Sequence, residues 1–139
     1  MQQDNFTLWE DAGFKVITLS NPHTPKKEGA HLVVLPKKEI VAAWEDVKTS
    51  GEVFVLASKV CKTLKRLNLG DWFNIQANGN WGLLPGKKPS FHVHIYARIK
   101  GSDSWGKPVQ LPDLPGTFQN EPLAQKDISL LVRALAEDL

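Results

Sequence analysis

The stretch that decides the fold is Phe91-His92-Val93-His94-Ile95-Tyr96-Ala97-Arg98. Successive side chains of an extended strand point to opposite faces, so the alternation predicts a strand over residues 91–99. The apolar face carries Phe91, Val93, Ile95 and Ala97. The other face carries His92, His94, Tyr96 and Arg98. Neighbours in this second row lie about 6.5 to 7 Å apart, close enough to contact one phosphate-sized ligand, which favours a functional site over a solvated strand face.

The composition predicts one ordinary globular domain over residues 1–139, since 42% of the residues are hydrophobic and 23% are charged. A net charge of +2 is too small to favour nucleic-acid binding or a polybasic membrane anchor. The N-terminal residues lack a signal-peptide pattern, and no apolar run is long enough to cross a bilayer. We therefore expect a cytoplasmic protein with no nucleic-acid or membrane partner, in which the single cysteine, Cys61, is a half-buried structural thiol.

The clearest helix is predicted over residues 49–69, where apolar residues recur at spacings of three and four. Thr49 and Glu52 form a capping-box pattern at its start, and Gly70 supplies a left-handed exit residue. Residues 40–47 predict a shorter helical segment before it.

Short strands surround this helix. Apolar runs bounded by turn-forming residues predict strands at residues 7–10, 14–19, 31–36 and 72–77. Helical spacing returns from Asp127 onward, whereas residues 101–120 are irregular. This order indicates an α+β fold with a mainly antiparallel sheet, one long central helix and a C-terminal helix.

The sequence around the deciding strand resembles the histidine triad (HIT) superfamily. The family motif is His-φ-His-φ-His-φ-φ, where φ is apolar, and here it reads His92-Val93-His94-Ile95-Tyr96-Ala97-Arg98. Residues 29–38 are similar to the family's Gly-His-φ-Leu-Val-φ-Pro-Lys segment, and residues 74–79 to its strand-to-loop segment with an Asn-Gly pair. The resemblance implies a HIT-like fold, a homodimer, a nucleotide or other phosphorylated substrate, and no organic cofactor.

The resemblance also implies catalytic roles. The middle histidine of the family motif attacks phosphorus and becomes covalently attached to it, and that position is His94. A neutral imidazole is a good nucleophile near neutral pH. His92 would orient the nucleophile, and His31 matches a fourth histidine beside the triad. Tyr96 replaces the third histidine, where a phenol donates a hydrogen bond but is a slow proton shuttle.

Further candidates would bind the phosphate or the rest of the substrate. They are Asn78, Lys87, Lys88, Ser90, Arg98 and Trp81. The two lysines stand where the family has other residues, and they form either a phosphate contact or a solvated basic loop. Trp81 either stacks on a base or plugs its loop.

Two other aromatic residues are assigned non-catalytic positions. His23, in a proline-flanked loop, is expected to be a solvated surface residue. Trp105 is expected to pack against a partner subunit or the rim of the site.

Two alternatives remain open. His92, His94 and His31 could supply the imidazoles of an open zinc site, although no glutamate follows the second histidine and Arg98 on the same face would repel a cation. The other alternative is a HIT-like protein that binds a phosphorylated ligand without turnover.

Overall fold

The computed structural model describes residues 5–139, which form a five-stranded, fully antiparallel sheet and two α-helices. The strands are β1 (Phe6–Glu10), β2 (Phe14–Thr18), β3 (His31–Pro36), β4 (Trp72–Gln76) and β5 (Val93–Arg98). Their order across the sheet is β1-β2-β3-β5-β4, so β5 lies between β3 and the edge strand β4. The helices are α1 (Val47–Arg66) and α2 (Gln125–Asp138). The predicted α+β architecture with its central and C-terminal helices is confirmed.

One face of the sheet packs against the helices. The α1 residues that enter the core are Val53, Leu56, Ala57, Val60 and Leu64. They meet the apolar row of β5, of which Val93 and Ile95 are fully buried, as the alternation predicts. Cys61 on α1 is buried too, and this burial raises the pKa of its thiol to about 11, consistent with a structural role. Among residues 5–139, no helix combines the length and the apolar character needed to traverse a bilayer.

Both ends of α1 differ from the sequence prediction. The helix begins at Val47, and its N-cap is Asp46, whose side chain accepts hydrogen bonds from the Thr49 backbone N–H at 3.0 Å and the Thr49 hydroxyl at 2.9 Å. The capping box built on Thr49 and Glu52 is therefore wrong. The left-handed residue after the helix is Asn68, with φ of 59°, and not Gly70.

The remaining elements agree with the expected order. The segment predicted at residues 40–47 contains a single 3-10 turn at Ala43–Glu45, and α2 begins two residues before Asp127. Residues 101–120 contain neither helix nor strand, as expected. This irregular segment and the loop before β3 cover the face of the sheet that the helices leave free.

Gly29 fixes the position of β3 beside β5. Its φ is 133°, and a Cβ at this position would collide with the carbonyl oxygen of Ala97. The close approach allows the Ala97 N–H to donate to the Ala30 carbonyl at 2.9 Å. His31, two residues after Gly29, is thereby placed directly opposite Tyr96.

Candidate active site

The register of the sheet gathers polar side chains on its helix-free face. His31 on β3 and Asn74 on β4 both stand opposite Tyr96, and Gln76 on β4 stands opposite His94. Paired residues of antiparallel strands share a face, so these side chains join the His94 row. The sequence predicted the place of His31, but not those of Asn74 and Gln76, which depend on the register of β4.

A chain of hydrogen bonds links three of the histidines. The backbone N–H of His23 donates to His31 Nδ1 at 3.1 Å, and His31 Nε2 lies 2.8 Å from His94 Nδ1. His31 is only 1% exposed and His94 only 4%. Both nitrogens of the buried His31 ring are thus satisfied by protein partners.

Burial keeps these three imidazoles uncharged at neutral pH. Desolvation, with a smaller contribution from the neighbouring histidines, lowers the pKa of His94 to about 3 and that of His23 to about 4. The same causes hold the pKa of His31 well below its usual value. The cluster therefore offers hydrogen-bonding groups and lone pairs, with no positive charge.

His92 and His94 line one cavity of about 340 Å³. Asn78, Trp81 and Asp113 contribute to the same wall, and no lysine or arginine of the described chain does. The two imidazole rings meet edge to face, with centroids 4.7 Å apart. Within residues 5–139, Gln76 Oε1 is the only side-chain N or O atom that is both fully buried and without a hydrogen-bond partner. The Nε2 atoms of His92 and His94 have no protein partner either. Because they are not among the fully buried atoms, they are accessible.

His23 belongs to the site, and the expectation that it is a solvated surface residue is wrong. Its ring centroid lies 4.5 Å from that of His31, 4.9 Å from that of Trp81 and 5.4 Å from that of His94. The side chain is only partly exposed. The sequence signal for this position is weak: prolines at 22 and 25 indicate a fixed loop, but nothing local shows what the loop covers.

Tyr96 lies next to the His94 cavity, parallel to the His94 ring at a centroid distance of 5.6 Å. Its ring stacks on His31 with centroids 4.5 Å apart, and its hydroxyl receives a long 3.4 Å contact from Asn78 Nδ2. Tyr96 lines a second cavity, also of about 340 Å³, together with Arg98. Burial raises the pKa of its phenol above the ordinary value. The two cavities share His23, Leu111 and Pro112, so the residue that replaces the third histidine is buried beside the space that His92 and His94 line.

Arg98 holds the chain that follows β5. Its guanidinium donates to Asn74 Oδ1 at 2.8 Å, to the Ser104 carbonyl at 2.8 Å and to the Lys107 carbonyl at 2.9 Å. These bonds use both terminal nitrogens, so the structure gives Arg98 a role in fixing residues 104–107. Trp105 lies on the surface beside this turn and lines a separate cavity with Arg98 and Lys107.

The other predicted substrate-binding residues are only partly brought together. Lys87 and Lys88 are exposed outside the His92–His94 cavity, and Lys88 makes a 3.8 Å surface ion pair with Glu39. Ser90 is exposed, and its carbonyl oxygen lies 2.8 Å from His92 Nδ1. Asn78 lies at the cavity, as does Trp81.

Trp81 is held by protein groups on two sides. Its Nε1 donates to the Asp113 carbonyl at 3.0 Å, and its ring lies against His23 and Phe118. These contacts favour the interpretation that Trp81 closes its loop.

The histidine cluster does not fit a metal ion. Ligand atoms of His23, His31 and His94 lie within 4.8 Å of one another, a different set from the one the sequence suggested. However, His31 Nδ1 accepts from a backbone N–H, so the ring proton is on Nε2, the nitrogen that would have to bind the metal. The 2.8 Å separation of His31 Nε2 and His94 Nδ1 is also shorter than the roughly 3.3 Å between two ligands of tetrahedral zinc.

Solved structures identify the fold. A histidine triad protein from Bradyrhizobium japonicum is 24% identical, with 97% of this chain and 90% of that chain covered and a TM-score of 0.69. One from Sinorhizobium meliloti is 20% identical, with 98% and 90% covered and a TM-score of 0.69. A zinc-bound family protein from Mycobacterium smegmatis is 21% identical, with 96% and 86% covered and a TM-score of 0.69.

No protein-family model matches the chain, and no curated protein sequence does either. The comparisons therefore confirm the histidine triad fold that the sequence resemblance implied.

Proposed function

We propose that the protein binds a nucleotide or related phosphate ester in the His92–His94 cavity and transfers or hydrolyses the phosphorus-linked group through one of these two histidines. One observation carries this proposal: two imidazoles two residues apart line a single cavity of about 340 Å³. That size is at the lower end of small-molecule sites. The histidine triad fold of the solved neighbours agrees with this class of chemistry.

A histidine in this setting supports covalent catalysis in two steps. The imidazole lone pair forms an N–P bond while the bond from phosphorus to the leaving group breaks, and the leaving group takes the electron pair. Water or another acceptor then attacks phosphorus, and the N–P electrons return to the ring. Burial lowers the pKa of His94 to about 3, so its ring is neutral at pH 7.

The charges around the cavity restrict the substrate. In the described chain the lining contains Asp113 and no lysine or arginine, so a phosphate dianion would enter without a compensating cation. A phosphorus that is already esterified carries one negative charge and meets less repulsion. The cavity therefore suits a phosphodiester, an anhydride or a phosphoramidate of a nucleoside better than a free phosphate monoester.

The alternative is a protein that binds such a ligand without turnover. The observation that favours it is the buried Tyr96 in place of the third histidine, because burial raises the pKa of its phenol, which does not readily release a proton. A site without its third catalytic group can retain binding while losing rate.

Intact-mass spectrometry after rapid mixing with a nucleoside phosphoramidate or a dinucleoside polyphosphate tests the proposal. We expect an acid-labile nucleotidyl adduct together with released product. Lys126→Ala, an exposed change on α2, is the control and should label like the wild-type protein. Ligand-induced NMR shifts at the cavity with neither adduct nor product would support the binding protein instead.

The homodimer implied by the family resemblance stays a prediction. It is compatible with the open edge strand β4, on which Trp72 is 63% exposed.

A further inference from the structure

The His92–His94 cavity has no permanent positive charge. In the described chain its lining contains the Asp113 carboxylate and no lysine or arginine. Arg98 lines the adjoining cavity, but its terminal nitrogens already donate to Asn74 and to two backbone carbonyls. A phosphate ester carries at least one negative charge, so a group that becomes positive on binding would stabilise the complex. Imidazoles are the side chains that gain such a charge near neutral pH.

His23 lies where the two cavities meet, and its ring lines both of them. Within residues 5–139 neither of its ring nitrogens has a hydrogen-bond partner, and neither is among the fully buried atoms without one, so both are accessible. The residue is held by its backbone N–H, which donates to His31 Nδ1 at 3.1 Å. The ring can therefore add a proton without losing a hydrogen bond.

His31 and His94 do not have this freedom. Because His31 Nδ1 accepts from the His23 backbone N–H, the proton of the His31 ring is on Nε2, which faces His94 Nδ1 at 2.8 Å. A second proton on His31 would point at the His23 N–H. A second proton on His94 would point at the His31 Nε2–H. Of these three imidazoles, His23 is thus the one that can become charged while the hydrogen-bonded chain stays intact.

Burial, and not a neighbouring cation, keeps His23 neutral in the free protein. Desolvation is the larger cause that lowers the pKa of His23 to about 4, and His92 is the smaller one. A negative charge within about 4 to 6 Å favours the protonated form of such a group, so a bound phosphate acts against the desolvation. The ring centroids of Trp81 and Phe118 lie 4.9 and 5.5 Å from that of His23, within the roughly 6 Å over which an aromatic ring attracts a cation.

The other ionisable groups around His23 do not supply the missing charge. Those in contact with its ring or lining the same cavities are His31, His92, His94, Asp113, Tyr96, Glu28 and Arg98. The two opposite charges among them are joined through Ser104, whose hydroxyl donates to Glu28 Oε2 at 2.6 Å and whose carbonyl accepts from Arg98 at 2.8 Å. A bound anion is therefore the group that would change the charge of His23.

We infer that His23 takes up a proton when a phosphate ester binds in the His92–His94 cavity, and that the resulting imidazolium donates a hydrogen bond to a non-bridging oxygen of the phosphoryl group. This inference rests on the proposed function and deepens it, because it identifies the cation that a bound monoanionic ester would meet. One proton balances one negative charge, so the mechanism favours a phosphodiester over a phosphate dianion.

The proton comes from solvent, and no bond of the ligand is broken. It stays on the ring, shared with the non-bridging oxygen, so the leaving group does not receive it. Because the pKa of His23 is higher in the complex than in the free protein, affinity is greatest on the acid side. Affinity falls as the pH rises through the pKa of the complex, by up to about tenfold per pH unit.

Isothermal titration calorimetry measures this uptake directly. The probe is the methyl ester of adenosine 5′-monophosphate, whose single charge does not titrate between pH 6 and 8 and whose leaving group is poor. Titrations in buffers of different ionisation enthalpy give the number of protons bound with each ligand. We expect net uptake by the wild-type protein at pH 6 that declines towards pH 8, with affinity declining in parallel.

Variants assign the proton to a residue. His92 faces the same cavity and contributes any uptake of its own, so the share of His23 is the difference between wild-type protein and His23→Gln. We expect this variant to lose that share and to bind the ester with a weaker dependence on pH. Lys126→Ala, on the exposed side of α2, is the control and should take up as many protons as the wild-type protein. Unchanged uptake in a folded His23→Gln variant overturns the inference.

A spectroscopic test on the wild-type protein decides the matter if the variant does not fold. Long-range ¹H–¹⁵N correlation spectra at pH 6.5 distinguish a neutral imidazole from an imidazolium. We expect His23 to be neutral in the free protein and charged in the ester complex. A neutral His23 in the complex overturns the inference and leaves the proposed function standing. Absence of binding by this ester and by the substrates named above overturns both.

Discussion

The buried ionisable side chains at the cavity are poor proton donors at neutral pH. Desolvation lowers the pKa of His94 to about 3, so its ring is neutral, and burial raises the pKa of the Tyr96 phenol. If His94 donated a proton, His31 could not supply it with another, because His31 Nδ1 accepts a hydrogen bond from a backbone N–H and carries no proton to pass on. A leaving group bound here must therefore depart without help from a protein acid.

This property predicts strong selectivity for good leaving groups. General acid catalysis contributes about 10² to 10⁴-fold to the loss of a poor leaving group, so without it a nucleoside alkyl phosphodiester should react more slowly than the nitrophenyl analogue by their full solution difference. Steady-state kinetics on the two esters measures it. Tyr96→Phe should leave the ratio unchanged, because burial raises the pKa of the phenol and it does not act as an acid. Similar rates for both esters, or a ratio altered by Tyr96→Phe, would show that the site contains an acid.

Sequence reasoning at this scale predicted the strand, but not the hydrogen-bond partners of its histidines. The alternation over residues 91–99 predicted that His92 and His94 share a face; the observed β5 is shorter and begins at Val93, just after His92. His92 Nδ1 contacts the Ser90 carbonyl and His94 Nδ1 contacts His31, and no local sequence pattern encodes the contact with His31. The sequence did not predict that His23 lies at the site, because the contacts of a loop residue depend on how the rest of the chain folds around it.

At the scale of elements, the sequence predicted β3 with its observed bounds because Gly29 and Pro36 mark the two sides of a β-branched run. It misplaced the start of α1, where Thr49 is a good capping residue by type but Asp46 takes the position. Asp46 and Thr49 are both acceptable N-cap residues. Which of them begins the helix depends on the path of the chain before it, and that path is set by tertiary structure.

Gly29 provides an element-scale prediction. Gly29→Ala should reduce the free energy of unfolding by roughly 3 kcal/mol or more, since the added Cβ collides with the Ala97 carbonyl and forces β3 away from β5. Gly86→Ala is the matched control: Gly86 has φ of 76° but open space around its Cβ position. Only the backbone penalty of about 1 to 2 kcal/mol applies there. Urea unfolding compares them, and equal losses would mean that the close approach is unimportant.

At the scale of the molecule, the sheet has two different faces. One is covered by α1 and α2 with apolar side chains, which the periodicity of the sequence predicts. The other is covered by irregular chain, and that cover is held by hydrogen bonds such as those of Asn21 with the Phe118 carbonyl at 3.1 Å and the Asn120 N–H at 2.8 Å. Contacts about 100 residues apart leave no periodic signal, so the enclosure of the histidines could not be predicted.

Enclosing three imidazoles makes the protein sensitive to acid. The folded-state pKa values of His23, His31 and His94 lie below the unfolded value near 6.5, so at mildly acidic pH the unfolded chain binds protons that the folded chain excludes. Their contribution to stability is complete above about pH 6.5 and is lost as the pH falls toward about 4. Hydrogen bonds with Lys38 and Thr49 lower the pKa of the Asp46 carboxyl to about 2. In the folded state this group therefore titrates below the pH range in which the histidines act.

We therefore predict that the free energy of unfolding falls between pH 6.5 and 4.5 by up to about 1.4 kcal/mol per pH unit for each of the three histidines. Urea titrations at half-unit intervals give the slope, which equals the difference in bound protons between the unfolded and folded states. His23→Gln is the control, since it removes one of the three groups and should reduce the slope by about a third. Constant stability across this interval would mean that the imidazoles are protonated in the folded protein, and the neutral hydrogen-bonded chain from His23 through His31 to His94 would then be wrong.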